Sequence, residues 1–200
     1  MSGVRLRDGD LVVERPPNEL DNLAIAFSTL LSDLDIDHVF IAGYLAILTG
    51  RARATDDIDV LIEPLSNGDV SELVEELEAS GYWEPAMPLK EMYGNLSAGT
   101  NIWVAPSDQM TPHVEVKFPS DEYDRASLAN AIDAHIAGET IPVGPLELQI
   151  AYKLYLGEQK DLEDAAHLYL LFQESLSTPE LESWVTDLGV TERYARLQSL

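Results

Sequence analysis

Two carboxylates one residue apart, Asp57 and Asp59, open the apolar run that ends at Ile62. Successive side chains of a β-strand alternate between faces. Asp57 and Asp59 therefore share one face, while Ile58, Val60 and Ile62 point the other way into a core. Carboxylates placed side by side repel each other unless a cation sits between them. Mg²⁺ suits such a place, because it takes a few carboxylates together with waters and substrate phosphates. The bland alternative is a strand that opens with exposed acids, which is common in an acidic chain. Just upstream, DHVFIAGYLAILTG supplies a second apolar run, then Gly43, then a short helical stretch. A hydrophobic strand on each side of the short helix is the frame that has to carry the carboxylates.

Composition bounds the setting. The chain has 200 residues and a hydrophobic fraction of 46%, enough for one ordinary domain or one domain with a helical appendage. Thirty-six acidic residues against twelve basic ones give a formal charge of −24. Four of the basic residues are Lys and eight are Arg. The acids are spread over helical faces, as in DVSELVEELEAS and GEQKDLEDAA, rather than gathered in a tail. Such a surface is similar to those of proteins from extreme halophiles, where molar salt screens the self-repulsion. So negative a chain is a poor binder of bulk DNA through its phosphate backbone. Without Cys there are no disulfides, thiolate metal sites or Cys nucleophiles. No signal-peptide pattern and no apolar run of membrane-spanning length occur, so a soluble, cytoplasmic protein is expected.

Hydrophobic periodicity sets the elements. Val4 to Arg15 alternates around Asp8-Gly9 and predicts an N-terminal hairpin. Asn18 caps a helix whose apolar face carries Leu20, Leu23, Ala24, Phe27, Leu30 and Leu31. His38–Ala42 and Ile58–Ile62 read as strands, with a short helix from Tyr44 to Gly50. An amphipathic helix spans Val70–Ala79. Residues 86–100 read as irregular and long for a connector, which suggests a binding loop or lid. Asn101–Val104 and Thr111–Phe118 read as paired strands, Tyr123–Ala131 as a helix, and His135–Val143 as strands around Gly138-Glu139. From Pro145 onward the pattern is helical. The expected plan is an α/β (α+β) domain over residues 1–143, with a mixed sheet flanked by helices, and a C-terminal helical region over residues 144–200 packed on it.

Strand, Gly43, short helix, strand with Asp57-x-Asp59, and a later strand with a third acid resembles the polymerase β-like nucleotidyltransferase superfamily. Within it the chain looks most like the AbiEii-type and related small prokaryotic nucleotidyltransferases, many of them in toxin–antitoxin systems. The matching residues are Gly43, Thr55, Asp57, Asp59, Glu115, Lys153, Asp161 and Asp164, and the likeness covers roughly residues 35–172. It implies a nucleotidyltransferase fold with an NTP as substrate and two Mg²⁺ or Mn²⁺ ions held by Asp57, Asp59 and Glu115. It also implies backbone N–H groups of the helix after Gly43 facing the triphosphate. In the family a Lys and an Asp on the helices face the site; Lys153 and Asp161 match them here.

Each assignment has a plainer counterpart. His113, Glu115 and Lys117 share one face of PHVEVKF, which could be only a polar strand face. Lys153 could snorkel from the core, and Asp161 could be a first-turn acid. Tyr44 stands where the family has Gly or Ser, with a phenol that could still contact nucleotide. Arg51 and Arg53 could contact nucleotide or acceptor, or pair with surface acids. Tyr93, Trp83 and Trp103 could stack on a base, although packing is the expected role of both Trp residues. The leading functional expectation is transfer of an NMP from an NTP to a hydroxyl of tRNA, a protein or a small molecule, possible toxin–antitoxin partners included. The alternative is a nucleotidyltransferase-fold protein without catalysis that serves as a binding or antitoxin-like module. A Ser hydrolase lacks its Gly-x-Ser-x-Gly elbow here.

Overall fold

A computed structural model describes residues 3–52, 55 and 57–200. Strands β1 (Val4–Arg7) and β2 (Asp10–Val13) form the expected hairpin, antiparallel from Val4↔Val13 to Arg7↔Asp10. Its two-residue turn has positive φ at both Asp8 and Gly9, the geometry that matches strand twist. Helix α1 (Glu19–Asp33) follows with a capping box between Asn18 and Asp21. Strand β3 (His38–Ile41) runs into α2 (Gly43–Leu48), and β4 (Asp57–Ile62) returns antiparallel to β3. Ser66 and Asp69 box the start of α3 (Asn67–Ala79).

Strand β5 (Tyr82–Trp83), helix α4 (Met92–Ser97), β6 (Ile102–Pro106) and β7 (His113–Lys117) come next. After α5 (Glu122–Ala129), strands β8 (Ile132–Ile136) and β9 (Glu139–Val143) form a second hairpin. Helices α6 (Leu146–Leu156), α7 (Gln159–Phe172), α8 (Thr178–Asp187) and α9 (Thr191–Leu197) complete the chain. Among the described residues, one mixed nine-stranded sheet has the order β1-β2-β8-β9-β3-β4-β7-β6-β5. No helix is long and apolar enough to cross a membrane among them.

One face of the sheet, through Phe40, Ile58, Val60, Val114 and Val116, joins the main core with α1 and α3. That core also takes in Leu146, Ile150 and Leu154 of α6 and Leu168 of α7. The stretch read as an irregular loop or lid is structured instead. Leu89, Met92 and Leu96 are buried in the core, because apolar residues at 3–4 spacing form one short helical face despite the surrounding Pro and Gly residues.

Helix α2 is fastened from outside the cleft. Tyr44 is wholly buried, and its hydroxyl donates to Asp21 Oδ1 at 3.1 Å. Asp21, also wholly buried, accepts from Arg15 and from the Asn18 backbone N–H. Arg15 Nη2 also donates to the carbonyls of Ile47 and Leu48, the last residues of α2, at 3.3 and 3.2 Å. Past the helix, Arg51 pairs with Asp164 and Glu163 of α7.

Asp21→Ala leaves the Arg15 charge without its carboxylate partner and removes the acceptor of the Tyr44 hydroxyl. It should lower stability by about 3–5 kcal/mol, whereas Tyr44→Phe, which deletes one donor, should cost about 1 kcal/mol. Urea unfolding at high salt measures both.

Candidate functional site

The register of β4 against β7 assembles the site. Parallel pairing places Asp57 opposite His113, Asp59 opposite Glu115, and Leu61 opposite Lys117. Paired residues share a face, so these polar side chains stand opposite the face that joins the main core. On the far side of β7, Trp103 of β6 is opposite Glu115. Thr55 Oγ1 donates to Asp57 Oδ1, and Asn101 Nδ2 donates to Glu115 Oε2 at 3.1 Å.

A cleft of about 410 Å³ opens above this face. Asp57, Asp59 and Lys117 form its floor, and Ala42 and Gly43 one edge. Ser127, Tyr123 and Asp124 of α5 or its edge, Gln149, Tyr152 and Lys153 of α6, and Lys160 and Asp161 of α7 form its walls. Three of the four Lys residues in a chain of charge −24 thus face one cleft. Scarcity of Lys was the signal in the sequence, and it applied to Lys117 and Lys160 as well as to Lys153.

Burial raises the Asp59 carboxyl to about 6, with Glu115 and Asp57 adding to the shift and Lys117 and Lys153 opposing it. These four groups are therefore its electrostatic neighbours. Lys153 is buried, and its Nζ donates to Asp164 Oδ2 at 2.7 Å and Asp161 Oδ1 at 3.3 Å. Among the described residues, no three His, Asp or Glu side chains lie close enough together to hold a metal ion. Asp57, Asp59 and Glu115 share one sheet face.

The turn between β3 and α2 has an unusual backbone. Ala42 sits at φ 61°, ψ −126°, a region that Gly occupies more readily. Its N–H donates to Gln149 Oε1 at 3.0 Å, while Gln149 Nε2 donates to Ser127 Oγ at 3.2 Å. A Cβ on Gly144 would come within 2.7 Å of Gln149 Nε2, so that glycine makes room for the clamp. Gln149 carried no signal in the sequence, since a lone Gln on a helix has no motif.

The expected site residues divide. Gly43, Asp57, Asp59, Lys153 and Asp161 all line the cleft, and Glu115 lies in register beside Asp59. Tyr44 does not: its ring packs against Phe40 and its hydroxyl is bound to Asp21, so the side chain points away from any phosphate at Gly43. The helical period decides this, because the residue after Gly43 falls on the core face of α2. Arg53 lies outside the described residues. Arg51 is engaged by α7, and Trp103 is 36% exposed with one face stacked on His113.

No family profile and no curated protein match the sequence. Solved structures do. An antigenic nucleotidyltransferase-like protein from Paracoccidioides brasiliensis superposes with a TM-score of 0.59 at 15% identity, over 90% of this chain and 92% of that one. The chain has the nucleotidyltransferase fold. The antibiotic-resistance factor ANT(2'')-Ia matches with a TM-score of 0.51 at 15% identity, over 91% and 97% of the two chains. Its complex with adenylyl-2''-tobramycin matches at 0.50 and 17% identity, over 86% and 96%.

Asp59 makes folding pH-dependent in a defined direction. Its folded value near 6 lies above the model-peptide 3.8. The unfolded chain therefore releases this proton first as pH rises, and stability falls through that window. Asp59→Asn should be more stable than the wild type above pH 6 in metal-free buffer, with the difference shrinking as pH falls from 6 to 4. Paired urea titrations across pH 4–8 measure it; a difference independent of pH would mean that ionisation is not its source.

Proposed function

We propose that this chain is a metal-dependent nucleotidyltransferase that moves an NMP from an NTP to an acceptor hydroxyl. The observation that carries this is the floor of the cleft. Asp57 and Asp59 stand on one sheet face, Asp59 is held near 6 by burial and by its acidic neighbours, and three Lys residues surround them. The donor set fits a hard divalent cation, being carboxylate oxygens on alternate positions of one strand and on its neighbour, whose repulsion a cation relieves. Asp57, Asp59 and Glu115 would hold Mg²⁺ or Mn²⁺, which when bound offsets the negative charge of the reacting phosphates.

The chain's own groups have separable tasks. The Ala42–Gly43 backbone, held by Gln149, receives the phosphates at the cleft edge. Lys117, Lys153 and Lys160 supply positive charge along the triphosphate, with Lys153 oriented by Asp161 and Asp164. In transfer, the acceptor oxygen forms a bond to the α-phosphorus and the bond to the bridging oxygen breaks. Pyrophosphate leaves with that electron pair, and the hydroxyl proton passes to the Glu115 carboxylate. The chemistry admits a hydroxyl of tRNA, of a protein within a toxin–antitoxin pair, or of a small molecule. The solved ANT(2'')-Ia complex holds adenylyl-2''-tobramycin, an adenylylated small molecule. The acidic surface reads as an adaptation to high salt, so molar KCl is the assay medium.

A second reading, a fold retained for binding alone, draws on one observation: Lys153 already has two carboxylate partners. Incubation with α-labelled NTPs, Mg²⁺ and the three acceptor classes separates the readings. Transfer by the wild type should drop by roughly a hundredfold or more in Asp57→Asn, consistent with the several kcal/mol that metal-borne charge supplies. Nucleotide binding without any labelled product would favour the binding module. Absence of nucleotide binding in wild type would overturn both.

A further inference from the structure

The sheet face that holds Asp59 continues past Glu115 onto β6 and β5. Trp103, opposite Glu115, is 36% exposed and stacks on His113, with ring centroids 4.5 Å apart and planes 28° apart. Trp83 pairs with Ala105, two residues along from Trp103, and so lies on the same face. Its Nε1 donates to the Gln109 carbonyl at 2.6 Å, which fixes the ring. In a chain of charge −24, two of the three Trp residues thus lie on one stretch of sheet that the fold leaves partly open.

His113 adds an independent sign of a missing occupant. It is buried beneath Trp103, yet neither of its ring nitrogens has a hydrogen-bond partner among the described residues. Glu115 Oε1 is 3.5 Å from Nε2 without the alignment of a hydrogen bond. Buried polar nitrogens ordinarily find partners. His113 stands in register with Asp57, two positions from Glu115 on the same strand face.

We propose that Trp103, His113 and Glu115 form the acceptor subsite of the reaction proposed above, taking a small, non-anionic ring compound that carries a free hydroxyl. The inference rests on that reading of the cleft. Trp103 offers a flat apolar face to a ring, and His113 offers a nitrogen to one of its polar groups. Glu115 lies on the line from that ring to Asp59. Asp57, Asp59 and Glu115 make the strip negative, so a neutral or cationic ring is favoured and the phosphate backbone of a nucleic acid is repelled. Lys153 and Lys160 stand on α6 and α7, and Lys117 reaches towards Asp124 of α5 at 3.6 Å, on the side where the triphosphate is placed. The two substrates thereby meet over the carboxylates from opposite sides.

One sugar ring in three charge states tests this: glucosamine, methyl glucoside and glucose 6-phosphate. Four His residues and three Trp residues give few enough ring ¹⁵N signals to follow in the full chain by NMR. The first two compounds should shift the Trp103 and His113 signals in a saturable way, and glucose 6-phosphate should bind at least tenfold more weakly. Trp103→Ala should raise the dissociation constant for methyl glucoside about tenfold, the worth of one good aromatic contact. Trp103→Phe should largely restore it, and both variants should bind Mg-ATP as the wild type does. Shifts absent with all three sugars, or equal with the phosphate, would overturn the subsite while intact Mg-ATP binding leaves the nucleotide reading standing. Loss of the shifts on dilution, with a dimer seen by sedimentation, would overturn it in favour of a second copy covering this face.

Discussion

A one-residue slip of β4 against β7 would put Asp57 and Asp59 into the apolar core and turn Ile58 and Val60 outward. That register is disfavoured because Ile58, Val60, Val114 and Val116 are all fully buried on one side, so a one-residue slip would expose a row of aliphatic side chains. The chemistry on the opposite face is thereby fixed by packing that never touches it. Asp57 is aligned with His113 and Asp59 with Glu115, and Lys117 follows in the same column. Burial of Asp59 at this position holds its carboxyl above the usual range, and the alignment with Glu115 adds to the shift.

Charge is sorted on the small scale as well as in total. The acids cover the outer helical faces, while three of the four Lys residues converge on one cleft. Two arginines stay away from the cleft floor and fasten α2 instead, Arg15 to Asp21 and Arg51 to Asp164 and Glu163. Buried pairs of this kind are screened far less by salt than exposed ones. The anchorage of α2 therefore survives the ionic strength that such an acidic surface suits.

Much of the fold was legible because alternation and helical spacing are strict where a core face exists. The Asp8-Gly9 hairpin, the β3–α2–β4 unit and the C-terminal helices followed from it. The shared face of His113, Glu115 and Lys117 was legible as alternation, whereas the register that sets Glu115 beside Asp59 was not. What escaped depended on distant partners. Residues 86–100 looked irregular because Pro and Gly masked the short apolar face of Leu89, Met92 and Leu96. Tyr44 read as a group beside the phosphates because its position after Gly43 is visible in sequence and its buried partner Asp21 is not. Gln149 is 107 positions from the Ala42 N–H it holds, and nothing local marks it. Trp103 read as core because most Trp residues are largely buried, and the exposed half of the sheet could not be foreseen from β6 alone.

The two fastenings of α2 also bear on when the cleft can exist. The Arg15 contact to Leu48 spans 33 positions and the Arg51 contact to Asp164 spans 113. A nascent chain emerging from the ribosome can close the first while the sheet is still being built. The second waits until α7 has been made, and Lys153 meets Asp161 and Asp164 only then. The β3–α2–β4 segment that bears the carboxylates is thus synthesised before the helices that carry Lys153 and Lys160. An incomplete chain would present Asp57 and Asp59 without the lysines of α6 and α7 around them, so the cleft is assembled late although its centre is encoded early.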